Sequence, residues 1–131
     1  MRELKVVGLD AGGKRIVCES ADLSIALPAV VFAAAGTAGQ RCTSTRRLFV
    51  HRSKLDEVVQ RVKTAYDKLA IGNPLDDATR VGPLFEGRSF EAMQAALEAA
   101  RAAGGTVTGG ERVPVAGAGD AFYVRPAIVE M

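Results

Sequence analysis

The sequence has few cysteines, few aromatic residues and almost no excess of charge, and each scarcity excludes a class of protein. Two cysteines in 131 residues cannot form the disulfide scaffold of a small secreted domain, so a reducing, cytoplasmic compartment is expected. Aromatic residues make up 5% of the chain, and 17 basic against 15 acidic residues leave a net charge of +2. Because no basic stripe interleaved with aromatics is present, no nucleic-acid partner is expected. No run reaches the roughly 18 apolar residues of a membrane span, so we expect no membrane partner either.

Nearly half of the residues are hydrophobic, which favours a folded core over disorder. The hydrophobic fraction is 48% and the mean hydropathy is +0.11, whereas disordered chains combine low hydrophobicity with high net charge. The spacing of apolar residues predicts strands over 4–9, 48–51, 106–108 and 123–129, and helices over 21–35, 54–71 and 87–103. This alternation predicts the fold class α/β, with a mostly parallel sheet and helices on its faces.

The first predicted helix has an ordinary start and an unusual interior. Ser20 is expected to be its N-cap, with Asp22 in the first turn, where the helix dipole favours a negative charge. Pro28 lies in the interior, where it removes one backbone hydrogen bond and is expected to kink or split the helix. Since nearly every residue over 25–35 is apolar, we expect this helix to be buried on most sides.

The segment that carries the most chemistry follows this helix, over residues 36–45 (GTAGQRCTST). Its glycines leave room for a substrate to approach the backbone. A catalytic cysteine must be a thiolate, which nearby positive charge or backbone N–H groups stabilise. Cys42 has such charge close in sequence, at Arg41, Arg46 and Arg47. On spacing alone, Cys42 also fits a small buried apolar residue, which is the commoner role of an isolated cysteine.

The order of residues in this segment resembles a known catalytic motif. Residues 39–43 (GQRCT) resemble the catalytic-cysteine motif of the aldehyde dehydrogenase superfamily, and residues 37–48 resemble most closely its antiquitin (α-aminoadipic semialdehyde dehydrogenase) branch. The resemblance continues, in the family's order, at 56–59 (DEVV), 72–76 (GNPLD), 82–84 (GPL) and 123–129 (YVRPAIV). It therefore covers nearly the whole chain.

The resemblance implies a reaction and a role for Cys42. In the family, the cysteine thiolate adds to an aldehyde to give a thiohemiacetal, hydride passes to NAD or NADP, and water hydrolyses the resulting thioester. Cys42 matches the nucleophile, and its backbone N–H matches one donor of the oxyanion hole. The implied reaction is oxidation of an aldehyde, or a semialdehyde, to the carboxylic acid.

The resemblance also points to residues 9–13 (LDAGG), where the family has its general-base motif, Leu-Glu-Leu-Gly-Gly. Asp10 stands in place of the glutamate and is one methylene shorter, so its reach to a water is reduced. Ala11 and Gly12 are the candidate cofactor contacts by motif position. From the residues alone, Asp10 fits equally a turn aspartate before two glycines.

The family is several times longer than this chain, which sets the expected organisation. Residues 1–131 are expected to be a truncated, cysteine-bearing aldehyde dehydrogenase catalytic domain, with the NAD-binding domain and the oligomerisation segments absent. We therefore do not expect this chain alone to hold NAD or NADP. Apolar faces left uncovered favour a homo-oligomer. The competing interpretation is a catalytically silent remnant that folds and self-associates.

A metal site is not expected. His51 is the single histidine, and Cys18 and Cys42 lack the spacing of metal ligands. His51 is interpreted as a structural or exposed residue at the end of a strand.

Overall fold

A five-stranded sheet forms the centre of the computed structural model, which describes the backbone of residues 2–5 and all of residues 13–131. The order of the strands across the sheet is β2-β3-β1-β5-β4. They are β1 (Arg2–Lys5), β2 (Gly13–Val17), β3 (Thr45–Val50), β4 (Thr106–Thr108) and β5 (Ile128–Glu130).

Three α-helices cover the two faces of this sheet: α1 (Leu23–Ala35), α2 (Leu55–Asp67) and α3 (Gly87–Ala102). The larger core joins α1 and α2 to β2, β3 and Ile128, and the smaller one joins Leu97 of α3 to Val129. Ile128 and Val129 are neighbours in β5, and successive side chains of a strand point to opposite faces. Helices therefore pack on both faces, which confirms the α/β class. Within the described residues, no helix has the length and apolarity needed to cross a membrane.

Strand direction follows the connections between the strands. β2, β3 and β5 run in the same direction, and β1 and β4 run against them. Of the four neighbouring pairs described, β2–β3 is parallel and the other three are antiparallel. The sheet was predicted to be mostly parallel, and only the β2–β3 pair fits that prediction. A parallel pair needs a long crossover, usually a helix. α1 supplies one between β2 and β3, whereas β4 and β5 are joined by residues 109–127 without a helix.

The start of α1 differs from the expected one. Asp22, and not Ser20, is the N-cap, because its Oδ1 accepts a hydrogen bond from the Ser24 backbone N–H at 2.8 Å. The helix then runs without interruption through Pro28, so the expected split does not occur. Pro28 and Ser24 are exposed, and water can therefore reach the Ser24 carbonyl that Pro28 leaves without an N–H partner.

The expectation that α1 is buried on most sides is wrong for this chain. One side packs against α2 and β3 through buried apolar residues. The opposite side is exposed at helical spacing: Ile25 is 71% exposed, Phe32 is 67% exposed, and Pro28 and Ala29 lie between them. The helix is apolar nearly all round, but within the described residues only one side packs into the hydrophobic core.

The ends of α2 show how neighbouring contacts override helical spacing. The backbone N–H of Ser53 donates to His51 Nδ1 at 3.3 Å, so His51 caps a short 3₁₀ turn (Arg52–Lys54) that precedes the helix. This confirms the structural interpretation of His51. At the other end, α2 stops at Asp67 and not at 71, since Ile71 forms a parallel bridge with Val81.

Candidate active site

The parallel pair β2–β3 places the two cysteines at opposite ends. Gly13, at the start of β2, donates its backbone N–H to the Ser44 carbonyl at 2.9 Å and lies opposite Thr45. Cys42 is three residues before Thr45 and therefore belongs to this end. Cys18 follows Val17, which lies opposite Val50 at the other end. The fold thus brings the segment that begins at Gly13 next to Cys42 and keeps Cys18 away from it.

Cys42 lies in a tight turn that opens to solvent. The Ser44 backbone N–H donates to the Arg41 carbonyl at 3.0 Å, so Cys42 and Thr43 are the central residues of the turn. Ser44 is 1% exposed, and its Oγ accepts from the Arg41 backbone N–H at 3.2 Å, which closes the turn from inside. Cys42 is a free, exposed cysteine, so the alternative of a small buried apolar residue is wrong. Its backbone N–H donates to no acceptor in the part of the chain described.

A left-handed segment connects α1 to this turn. Thr37, Ala38 and Gly39 have φ of 55°, 51° and 70°. Left-handed backbone costs a non-glycine residue roughly 1–3 kcal/mol and persists only where the surroundings impose it. A β-branched residue such as Thr37 is least suited to it. Such strain immediately before a candidate nucleophile is the kind of feature found at functional sites.

Two of the three nearby arginines hold this segment in place. Arg41 donates from Nη2 to the Phe32 carbonyl at 3.3 Å, and its guanidinium carbon lies 4.8 Å from the centre of the Phe32 ring. Arg46 donates from Nη2 to the Gly39 carbonyl. Burial lowers the pKa of the Arg46 guanidinium, which nevertheless stays charged at neutral pH. The contacts described give these two side chains the task of fixing the backbone before Cys42. That they supply charge to the thiol stays a prediction.

Gln40 is a residue whose contribution the sequence did not reveal. Its Nε2 donates to the Thr37 carbonyl at 3.1 Å and to the Pro83 carbonyl at 3.3 Å. Its Oε1 accepts from the Phe85 backbone N–H at 2.8 Å. The side-chain amide therefore joins the Cys42 loop to a segment more than forty residues away along the chain. A single sequence carries no signal for such a long-range contact. Ser44 was missed as well, although its contact with Arg41 is only three residues away along the chain.

Asp10, Ala11 and Gly12, the candidate base and the candidate cofactor contacts, lie outside the described residues. The structure describes the chain again from Gly13, whose N–H is bonded beside the Cys42 turn. Among the residues that are described, no group of three or more His, Cys, Asp or Glu side chains is placed to hold a metal ion.

A separate cavity of about 180 Å³ lies between the end of α2 and the loop after β4. Two of its lining residues have buried polar atoms, Tyr66 Oη and Arg125 Nη1, without a hydrogen-bond partner in the described part of the chain. Burial raises the pKa of Tyr66 above its ordinary value. None of the residues around Cys42 lines this cavity, so it is distinct from the candidate active site.

Comparison with known proteins gives consistent matches. The model of the aldehyde dehydrogenase family matches residues 1–131. The chain is 47% identical, over 92% of its length, to α-aminoadipic semialdehyde dehydrogenase of Rattus norvegicus, and 41% identical, over 88%, to aldehyde dehydrogenase family 7 member B4 of Arabidopsis thaliana. It covers 22% of each of these relatives. The structure also superposes on Mycobacterium tuberculosis aldehyde dehydrogenase complexed with NAD⁺, with a TM-score of 0.81 and 29% identity, covering 92% of this chain and 25% of that one.

Proposed function

The chain belongs to the aldehyde dehydrogenase family, and from this premise we propose that it is the cysteine-bearing part of a catalytic domain that oxidises an aldehyde, or a semialdehyde, to the carboxylic acid. The proposal rests on one observation. Cys42 is exposed in a turn, and its backbone N–H donates to no acceptor among the described residues. The chain spans about a fifth of the length of the curated relatives above. The activity of the whole enzyme is therefore part of the proposal.

Cys42 has two tasks in the proposed reaction. Its thiolate adds to the aldehyde carbon, so that an S–C bond forms, the C=O π bond breaks and negative charge develops on oxygen. The Cys42 backbone N–H donates to that oxygen and stabilises the charge, as preorganised donors do in acyl-transfer sites. After the carbon has lost its hydride, the thioester at Cys42 is hydrolysed by water, which releases the acid and restores the thiol.

The remaining groups come from the segment before β2 and from the cofactor. Asp10 is proposed as the general base for the hydrolytic water. The support is indirect: Gly13, three residues further along the chain, bonds to Ser44, two residues after Cys42. Ala11 and Gly12 are the proposed cofactor contacts. NAD or NADP, when bound, would supply the hydride acceptor, and the Mycobacterium tuberculosis aldehyde dehydrogenase described above is a complex with NAD⁺. Most of the cofactor site is proposed to lie outside this chain.

The experiment that tests the role of Cys42 compares the two cysteines of the same molecule. Iodoacetamide is reacted with the folded protein at neutral pH, and the labelling rate of each cysteine is measured by mass spectrometry of the peptides. We expect Cys42 to react about tenfold faster than Cys18, because a catalytic thiolate needs stabilising charge or N–H donors. Both thiols are exposed, so access does not explain a difference. Equal, slow labelling of both would contradict the proposal.

Turnover is tested in a second assay. NADH formation is followed by absorbance with a panel of aldehydes and semialdehydes, using Cys42→Ser and, as the matched control, Cys18→Ser. A rate that Cys42→Ser abolishes and Cys18→Ser preserves would mean that copies of this chain complete the site. A rate that survives Cys42→Ser would exclude Cys42 as the nucleophile.

A second candidate function is a catalytically silent remnant that folds and self-associates. The observation in its favour is the exposed apolar side of α1, from Ile25 to Phe32, since contiguous apolar patches favour association. We propose that the chain forms a homo-oligomer in either case, and sedimentation as a clean monomer would contradict this. An oligomer whose two cysteines label equally slowly would favour the silent remnant over the enzyme.

A further inference from the structure

The side-chain amide of Gln40 forms hydrogen bonds to the backbone of two separate segments, through both its N–H donors and its oxygen. It donates to the carbonyls of Thr37 and Pro83 and accepts from the Phe85 N–H, over distances between 2.8 and 3.3 Å. The bonds to Pro83 and Phe85 flank Leu84, which is itself bonded through its N–H to the Phe122 carbonyl at 2.7 Å. The Cys42 loop is thereby attached to a segment that is fixed in turn to the rest of the chain.

Gln40 bonds to the strained, left-handed segment that precedes it. Thr37 and Ala38 have left-handed φ values, which require restraint from outside the segment. Gln40 follows this segment directly and returns to its first carbonyl, at Thr37. The residue after Gln40 opens the turn that contains Cys42. A movement of Gln40 is thus transmitted over two residues to the Cys42 N–H and thiol.

From these contacts we infer that Gln40 is a positioning residue for Cys42: by bonding to Thr37, Pro83 and Phe85, it fixes the loop in which the Cys42 thiol and N–H face a substrate. The inference rests on the proposed function of Cys42. Gln40 itself touches no reacting atom, and its effect passes through the backbone of the turn that closes at Ser44.

The test replaces the amide without adding charge. Gln40→Met keeps the length of the side chain and removes all three bonds, and Gln40→Asn keeps the amide but shortens its reach by about 1.5 Å. The matched control is Gln94→Met, since Gln94 Nε2 donates to the Gly110 carbonyl at 2.8 Å in another part of the molecule. Circular dichroism establishes which variants are folded, and Gln40→Asn replaces Gln40→Met if the latter is not.

Two measurements are made on each variant: hydrogen exchange of the Phe85 and Ser44 amides, and the ratio of the iodoacetamide labelling rates of Cys42 and Cys18. In Gln40→Met and Gln40→Asn we expect both amides to exchange faster. We also expect the labelling ratio to fall by about three- to tenfold, the change that corresponds to the net contribution of about one hydrogen bond. Gln94→Met is expected to leave the ratio and both amides unchanged.

The outcomes separate this inference from the proposed function. A wild-type Cys42 that labels as slowly as Cys18 overturns the proposed function and, with it, any positioning role. A wild-type preference for Cys42 that survives both Gln40 substitutions, while the Phe85 amide exchanges faster, overturns the inference alone. A fall in the ratio that Gln94→Met reproduces also overturns it, since the effect would then be one of general stability.

Discussion

The two ends of the parallel pair β2–β3 each carry an exposed cysteine, yet they are built differently. After Cys18 the chain turns through a single backbone bond, from the Ala21 N–H to the Cys18 carbonyl at 3.1 Å, and enters α1 at its Asp22 cap. Before Cys42 the chain passes through left-handed residues that Gln40, Arg41 and Arg46 hold from the side. The exposure of both thiols therefore does not make them alike, because among the described residues side chains restrain the backbone before Cys42 and none is seen to restrain the backbone at Cys18.

Charge adds to this contrast. Glu19 and Asp22 follow Cys18, whereas Arg41 and Arg46 flank Cys42. The two ends are separated by roughly 13 Å of extended strand, four steps of about 3.3 Å. They can therefore be changed independently, and the core that supports both can be changed as well.

The largest expected effect comes from a substitution in the hydrophobic core that supports both ends of the β2–β3 pair. Leu48 lies in β3, is 1% exposed and belongs to the core under both ends. Leu48→Ala is expected to lower the free energy of unfolding by about 2–5 kcal/mol, since it removes buried methyl groups and leaves a cavity. Denaturant titration measures the loss. The matched control is Leu75→Ala at a residue that is 92% exposed, and equal losses in the two variants would disprove the assigned core.

An intermediate effect is expected from relieving the strain at the Cys42 end. Thr37→Gly places at φ 55° the one residue that adopts this conformation without cost. We expect a gain of about 1 kcal/mol in stability, the strain released less the entropy that glycine loses on folding. Thr43→Gly is the control, because Thr43 is exposed and is not among the left-handed residues. Destabilisation by Thr37→Gly that matches the control would mean that the left-handed segment is not strained.

The smallest expected effect lies at the Cys18 end and depends on pH. Hydrogen bonds from the Ser24 side chain and then the Ser24 backbone N–H lower the pKa of Asp22 from its ordinary value of 3.8. Because the folded-state pKa is the lower one, the contribution of Asp22 to stability is present above about pH 4 and is lost as the pH falls through the folded value. Asp22→Asn keeps an acceptor for the cap but does not titrate.

Melting temperatures of the wild type and Asp22→Asn, measured at pH 7 and near pH 3, check this prediction. We expect the melting temperature to fall further in the wild type than in the variant when the pH is lowered from 7 to about 3. A parallel loss in both proteins would show that the Asp22 cap does not depend on its charge.

Much of the fold was predictable because its signals are local. The helical spacing predicted α3 to within one residue of its end at Ala102, and the segment Thr106–Thr108 was predicted as a strand and is one. The family motif around Cys42 was readable for the same reason, since it is a short contiguous segment. The N-cap of α1 was misplaced by two residues because Asp22 and Ser20 are both good caps, and the Asp22–Ser24 bond decided between them.

The amino-acid sequence by itself determined the family, the α/β class and the residue proposed as the nucleophile, because these depend on residue identity and near-neighbour spacing. The tertiary structure decided which strands run in parallel, which side of α1 is covered and which side chains hold the loop before Cys42. Each of these depends on contacts between residues far apart in the chain, as in the bond from Gln40 to Pro83. The energy of such contacts is realised only once the intervening chain has folded.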